Sequence, residues 1–300
     1  MRVFGPLLSV VLLVCSVISA AAQDRPRLVV VNYALQYFTE RLVGDAAEVV
    51  FPVPEEVDPS FWRPSITDIS MIQSADLILL NGAGFATWID RVSLPRSRVV
   101  NTSAAVEDQF IVTESITHSH GDGGEHSHEG LASYIWLDPT LAIAQAEAIA
   151  TAITARDLAP SDDVADRLAA LRADLEALDA KARAAFGDAT NVAMIATHPR
   201  YQYFARRYDL QVASLEWEAG VMPTDQEMAD LGALMEETGA GILLWEAEPP
   251  EAALKATDEL GLQNVVFPPL AHEDLDRAYV NALDEVIDMI GDAAQRARGY

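Results

Sequence analysis

The densest group of chemically active side chains in the sequence is a histidine tract at residues 117–130. Four of the six histidines lie there among acids, serines and glycines, namely His118, His120, His126 and His128. Imidazole is a common metal ligand and suits zinc, nickel and copper. The glycines make the tract too flexible to hold four ligands in a fixed tetrahedral geometry, so it predicts a weak or transient metal contact. The alternative is a merely solvated loop.

The overall charge also favours cations. The chain carries 20 Lys and Arg against 46 Asp and Glu, a formal net charge of -26 at pH 7, while 50% of its residues are hydrophobic. Such a field repels phosphate backbones and anionic membrane surfaces and attracts cations. The composition therefore predicts a packed globular protein and excludes nucleic acid as a partner.

The first residues have the pattern of an export signal. Residues 1–22 contain one basic residue, Arg2, then an apolar stretch over 7–17 and small residues up to Ala22. This pattern predicts a cleaved secretory signal, with a membrane anchor as the alternative. The single cysteine, Cys15, lies inside the segment, so the mature chain would have no disulfide and no cysteine ligand. No later segment is apolar enough to cross a bilayer, which predicts a soluble, exported protein.

The elements that must position any site are short apolar runs separated by helical stretches. Continuous apolar runs, rather than alternating ones, are typical of strands buried on both faces of a parallel sheet. The predicted strands are 28–32, 49–53, 77–81 and 98–101 in the first half, and 191–197, 211–215, 241–245 and 264–267 in the second. The sequence thus predicts two α/β lobes.

A long helix is predicted between the lobes. Apolar residues recur at steps of four and three from Val164 to Leu178, with Ser161 as N-cap and Gly187 as stop. The predicted division is a lobe at 23–158, a linking helix at 159–187 and a lobe at 188–300. From this pattern alone, a rigid spine joining the lobes and an ordinary helix packed on one lobe are equally compatible.

Several stretches together resemble the solute-binding proteins of zinc and manganese ABC transporters. Besides the histidine tract, the resemblance is carried, in the family's order, by residues 57–69, 75–89, 134–139 and 198–208. It implies two Rossmann-like α/β lobes joined by a long rigid helix, a periplasmic location and a cognate ABC permease in the inner membrane as partner. The histidine tract favours the zinc branch, so Zn²⁺ is the implied cargo, with Mn²⁺ or another divalent metal as alternatives.

The metal-ligand positions implied by this resemblance are mostly replaced. The family places histidines where this chain has Ser60 and Tyr134, and a carboxylate where it has Pro268. Only His198 matches. Since zinc needs about four nitrogen or oxygen ligands, and neither a hydroxyl nor a neutral phenol is a good one, His198 alone cannot hold the ion tightly.

Substitute ligands are available at the predicted carboxyl ends of strands, where open α/β sheets bind ligands. Glu246 or Glu248 follows one strand, Glu216 or Glu218 follows another, and His272 comes two residues after Leu270. The alternative for each is an ordinary solvated side chain in a very acidic protein. The predicted metal ligands are therefore His198, Glu246, His272 and Tyr134, with the histidines of the tract.

A second hypothesis keeps the fold and changes the cargo. Aromatic residues near the predicted cleft favour an organic solute or a chelated metal, held with the help of His198 and Arg200, although the same aromatics could be core. The residues predicted to line the cleft are Ser60, Trp62, Trp136, Arg200 and Glu216. The sequence has no nucleophile elbow, zinc-protease helix or phosphate-binding glycine loop, so no enzyme is predicted.

Overall fold

A computed structural model describes residues 25–113, 130–187, 192–273 and 278–298. The predicted signal segment and the four clustered histidines, His118, His120, His126 and His128, lie outside these described residues. Within the described part, no helix combines the length and the apolar character needed to span a membrane.

The first lobe is built on a parallel sheet with the strand order β2-β1-β3-β4. Its strands are β1 (Arg27–Val30), β2 (Glu48–Val50), β3 (Leu77–Leu80) and β4 (Val99–Asn101). Helices α1 (Tyr33–Val43), α2 (Ile66–Ser74) and α3 (Pro139–Thr154) belong to this half, as does the small antiparallel pair β5 (Val112–Thr113) and β6 (Gly130–Leu131). Strands β1 and β3 are almost completely buried, as their continuous apolar runs predict.

The second lobe repeats this topology. Its strands are β7 (Met194–Ala196), β8 (Val212–Ser214), β9 (Ile242–Trp245) and β10 (Gln263–Val266), and its helices are α5 (Gln202–Tyr208), α6 (Asp225–Thr238), α7 (Glu251–Glu259) and α8 (Tyr279–Arg298). All strand pairs of its sheet are parallel, in the order β8-β7-β9-β10, which is again second-first-third-fourth along the chain. The predicted pair of α/β lobes is confirmed.

A single long helix, α4 (Ser161–Phe186), joins the lobes. Its 26 residues correspond to about 39 Å, and it packs on α1 and α3 of the first lobe and on α8 of the second. It is therefore a spine shared by both lobes. The helix begins one residue earlier than predicted, because Pro160 is the N-cap and its carbonyl accepts from the Val164 amide. The exact domain bounds stay a prediction.

Candidate functional site

The strand order creates a crevice in the second lobe. In a parallel sheet ordered second-first-third-fourth, the winding direction reverses between the first and third strands, and ligands bind at the carboxyl ends there. In this lobe those strands are β7 and β9. His198 comes two residues after β7, and Glu246 directly follows β9. Glu216 comes two residues after β8, on the other side of β7.

This arrangement puts His198 between two glutamates. Its Nε2 lies 4.0 Å from Glu216 Oε2, and its Nδ1 lies 3.9 Å from Glu246 Oε2. Nδ1 also lies 3.2 Å from the Trp217 carbonyl oxygen. Because a carbonyl can only accept, this contact places a proton on Nδ1, and in the neutral imidazole the lone pair is then on Nε2. Metal-binding histidines are commonly oriented in this way, by a backbone carbonyl on the nitrogen that does not bind the metal.

Arg200 connects the two lobes across the same crevice. Its Nη2 donates to Asp58 Oδ2 of the first lobe at 2.8 Å, and its Nε donates to Glu246 Oε1 at 3.1 Å. The guanidinium carbon lies 4.6 Å from the centre of the Tyr134 ring. Burial by itself would lower the pKa of Arg200, but Tyr134, Glu246 and Asp58 outweigh it and raise that pKa above its ordinary value. The side chain is therefore a permanent cation.

Tyr134 and Ser60 form the wall behind this cation on the side of the first lobe. Burial raises the pKa of the Tyr134 phenol well above its ordinary value, so the phenol is neutral at physiological pH. The Ser60 hydroxyl donates to Asp58 Oδ1 at 2.6 Å, and the Ser60 amide donates to the same oxygen at 2.8 Å. Ser60 thus holds the Asp58 carboxylate in place for Arg200.

His272 lies on the same cleft but is held by the first lobe. Its Nε2 donates to the Val57 carbonyl oxygen at 2.6 Å, and its ring packs against Phe51 with 5.4 Å between the ring centres. These contacts leave only Nδ1 for any ligand.

The cleft has a volume of about 870 Å³ and walls from both lobes. Trp217 and the three residues Pro268, Pro269 and Leu270 form part of its apolar surface. Its polar lining is dominated by seven carboxylates, Glu55, Glu56, Asp58, Glu218, Glu246, Glu248 and Glu273, with Arg200, His198 and His272. A cleft with this lining attracts cations.

Of the five residues predicted to line the cleft, the structure places only Arg200 in its lining. Ser60 is buried, and Glu216 lies beside His198 but outside the lining.

The other two predicted lining residues are core. Trp62 is buried and meets Trp88 edge to face, with 5.8 Å between ring centres. Trp136 is fully buried, and its Nε1 donates to the Pro269 carbonyl oxygen of the other lobe at 2.8 Å. The prediction that Trp62 and Trp136 line the cleft was wrong, because packing between and within the lobes uses both rings.

Within the described residues, no three His, Cys, Asp or Glu side chains converge closely enough to hold a metal ion. Two of the acidic side chains in the cleft, Asp58 and Glu246, are instead paired with the Arg200 guanidinium. Asp58 was not predicted as a site residue. The only sequence feature that pointed to it was its position in the stretch 57–69, two residues before Ser60.

Comparison with known proteins identifies the family. The model of the family described as ZnuA, zinc-uptake complex component A, periplasmic, matches residues 28–293. Two similar proteins are the high-affinity zinc uptake system protein ZnuA of Bacillus subtilis, 25% identical over 90% of this chain and 88% of its own length, and the zinc-binding lipoprotein AdcA of Streptococcus pneumoniae serotype 4, 25% identical over 83% of this chain. The chain spans 51% of the length of that AdcA.

A solved structure has the same fold. The metal-dependent lipoprotein YcdH of Bacillus subtilis aligns with a TM-score of 0.75 and 21% identity, covering 90% of this chain and 99% of its own. At 21% identity, this similarity supports the fold alone, that is, two lobes joined by a long helix.

Proposed function

The chain belongs to the family of periplasmic zinc-uptake complex components, and from this premise we propose that it captures a divalent transition metal between its lobes and delivers it to a membrane permease. Zinc is the proposed cargo, with manganese as the alternative ion. The permease would be the cognate ABC transporter of the inner membrane, and the location the periplasm, after removal of residues 1–22. Membership in a family of uptake components confirms the prediction that the chain is not an enzyme.

The observation that carries this proposal is the position of His198 between Glu216 and Glu246. The three residues follow three adjacent strands, β8, β7 and β9, so the sheet itself brings them to one edge. Imidazole and carboxylate are both zinc ligands, and the orientation of His198 leaves Nε2 free to bind.

The proposed ligand set is completed from the first lobe. Glu216 lies 4.0 Å from His198 Nε2, whereas Glu246 lies 3.9 Å from Nδ1 and would have to turn toward an ion on Nε2 to be the third ligand from this lobe. Asp58, which Arg200 connects to Glu246, would supply the fourth from the other lobe. Four ligands of this type meet the requirement of zinc. In this proposal the neutral Tyr134 is a platform beneath the cation rather than a phenolate ligand, and His272 remains a candidate through Nδ1.

The histidine tract at 117–130 has a separate role in this proposal. Its imidazoles gather ions near the cleft and pass them on, while the cleft holds the ion for delivery. Tract and cleft are therefore two sites, of which the cleft is the tighter.

Calorimetric titration with ZnCl₂ tests the proposal on four proteins: the mature chain, His198→Ala, a variant with 117–129 replaced by a short Gly-Ser linker, and the combination. We expect His198→Ala to weaken the tightest site at least about 100-fold, because it removes the one histidine at the strand edge. The linker variant should keep that site. Loss of all zinc binding in the linker variant, with no change in His198→Ala, would show that the cleft is not the metal site.

A second candidate, an organic solute or a chelated metal, is favoured by the cleft volume. About 870 Å³ falls in the range of small-molecule pockets and far exceeds the space of one ion with its ligands. Such a cargo would raise the unfolding temperature without any response to a chelator, whereas zinc stabilisation should vanish with the chelator.

A further inference from the structure

Arg200 occupies the position in which a cation would bind both lobes. One face of its guanidinium lies on the Tyr134 ring, and its nitrogens bond to Asp58 from the first lobe and Glu246 from the second. A divalent ion bound by the same two carboxylates would replace these contacts one for one. The described structure therefore has an internal cation at the centre of its acidic cleft.

The charges make the two cations mutually exclusive. The side chain of Arg200 is 11% exposed and that of Glu246 is 13% exposed, so their charges are poorly screened by water. A second positive charge at the same carboxylates would be repelled strongly in such surroundings. Because the guanidinium does not lose its proton, it can yield the site only by moving away.

The backbone of Arg200 is held independently of its side chain. The Arg200 amide donates to the His198 carbonyl oxygen at 2.9 Å, so the turn carrying both residues is fixed by its own backbone. The side chain borders a cleft of about 870 Å³. Rotation of the side chain into the cleft would release Asp58 and Glu246 while His198 stays in place.

We propose that Arg200 is a built-in competitor that sets the metal specificity of the cleft. This inference rests on the proposed function. Calcium and magnesium bind oxygen ligands, so the seven carboxylates of the cleft would attract these two ions wherever they are present. Arg200 neutralises the two carboxylates that face each other across the lobes. Zinc also binds the imidazole of His198, a ligand that calcium and magnesium do not favour. Zinc therefore displaces Arg200 from the two carboxylates, whereas calcium and magnesium do not.

The test compares Arg200→Met and Arg200→Gln with the parent protein by calorimetry, titrating ZnCl₂ and CaCl₂ separately. Arg206→Met is the matched control, because Arg206 is an exposed residue of α5 that donates to the Gln109 carbonyl outside the cleft. We expect both Arg200 variants to bind zinc at least about tenfold more tightly and to acquire calcium binding, while Arg206→Met behaves as the parent. The glutamine variant keeps a hydrogen-bond donor for Asp58, so it serves if the methionine variant does not fold.

The outcomes separate this inference from the proposed function. If folded Arg200 variants bind zinc no more tightly than the parent and do not bind calcium, the competitor role is wrong, even where His198→Ala still abolishes zinc binding. If neither the parent nor the Arg200 variants bind zinc in a manner that depends on His198, the proposed function fails and the competitor role fails with it.

Discussion

The two lobes have the same strand order but fill their crevices in opposite ways. In the first lobe, the residues after β1 and β3 are Asn32 and Asn81, which are both fully buried. Asn81 Oδ1 accepts from Asn32 at 3.4 Å and from Gln145 at 3.1 Å, and its amide nitrogen donates to the Ser133 carbonyl at 2.9 Å. Neutral amides thus seal this crevice.

In the second lobe, the corresponding positions carry an imidazole and a carboxylate that face the cleft. His198 and Glu246 follow the equivalent strands β7 and β9, and the side chain of His198 remains 25% exposed. The topology therefore supplies a crevice in each lobe, and the side chains that follow the strands determine whether it is filled or open. One crevice is filled by buried amides, and the other is the one that we propose binds a cation.

The largest expected effect on stability comes from a substitution in the sealed crevice of the first lobe. Asn81→Ala removes the oxygen that accepts hydrogen bonds from the buried side-chain amides of Asn32 and Gln145. Because a buried donor that loses its acceptor is destabilising, we expect the free energy of unfolding to fall by about 2–3 kcal/mol. Urea denaturation measures this. Gln226→Ala, which removes an exposed amide bonded only to Asp230 in α6, should cost less than about 0.5 kcal/mol. Equal losses in the two variants would remove the distinction between the crevices.

The next effect is a pH dependence from Tyr33, which follows the buried Asn32 in the chain. Burial, with Glu273 adding to it, raises the pKa of Tyr33, the first residue of α1, to about 12. Because the pKa is higher in the folded state, the stabilising contribution is complete below the unfolded value near 10 and is lost as the pH rises through 12.

Tyr33→Phe should therefore lose less stability than the parent between pH 10 and 12, by about 1–2 kcal/mol, and match the parent's pH response below pH 9. Urea unfolding at pH 8.5, 10 and 11.5 gives the comparison. A parallel decline of both proteins would show that Tyr33 does not cause this pH dependence.

A smaller change in stability than that of Asn81→Ala is expected at the open crevice. Glu246→Gln should alter the free energy of unfolding by no more than about 1 kcal/mol, because Arg200 keeps its 2.8 Å bond to Asp58 and the glutamine oxygen can still accept from Arg200. The same variant should weaken zinc binding at least about tenfold. A loss of several kcal/mol with unchanged zinc affinity would mean that Glu246 has the structural role assigned here to Asn81.

The strands and the spine could be predicted from the sequence because their signals are local. Continuous apolar runs located every strand of the two parallel sheets to within a few residues. The first strand ends before Asn32, since that residue turns to cap α1 and accepts from the Leu35 amide at 2.9 Å. The heptad-like spacing from Val164 to Leu178 located the spine, although its contacts with both lobes could not be read from one helix.

The candidate site was predictable only in part. The position of Glu246 and Glu216 after strands indicated that they would meet near His198. The pairing of Arg200 with Asp58 was not predictable, because those residues are 142 positions apart and meet only when the lobes dock. For the same reason, Trp136 was assigned to the cleft although it packs between the lobes.

Crystals grown with ZnCl₂ and measured on both sides of the zinc absorption edge test the central claim most directly. We predict an anomalous difference peak within about 2.0–2.2 Å of His198 Nε2 and of carboxylate oxygens from Glu216 or Glu246, with the Arg200 guanidinium moved away from Asp58 and Glu246. A cleft without a peak, in which Arg200 still bridges the two carboxylates while zinc is bound only by the histidines of the tract, would contradict it.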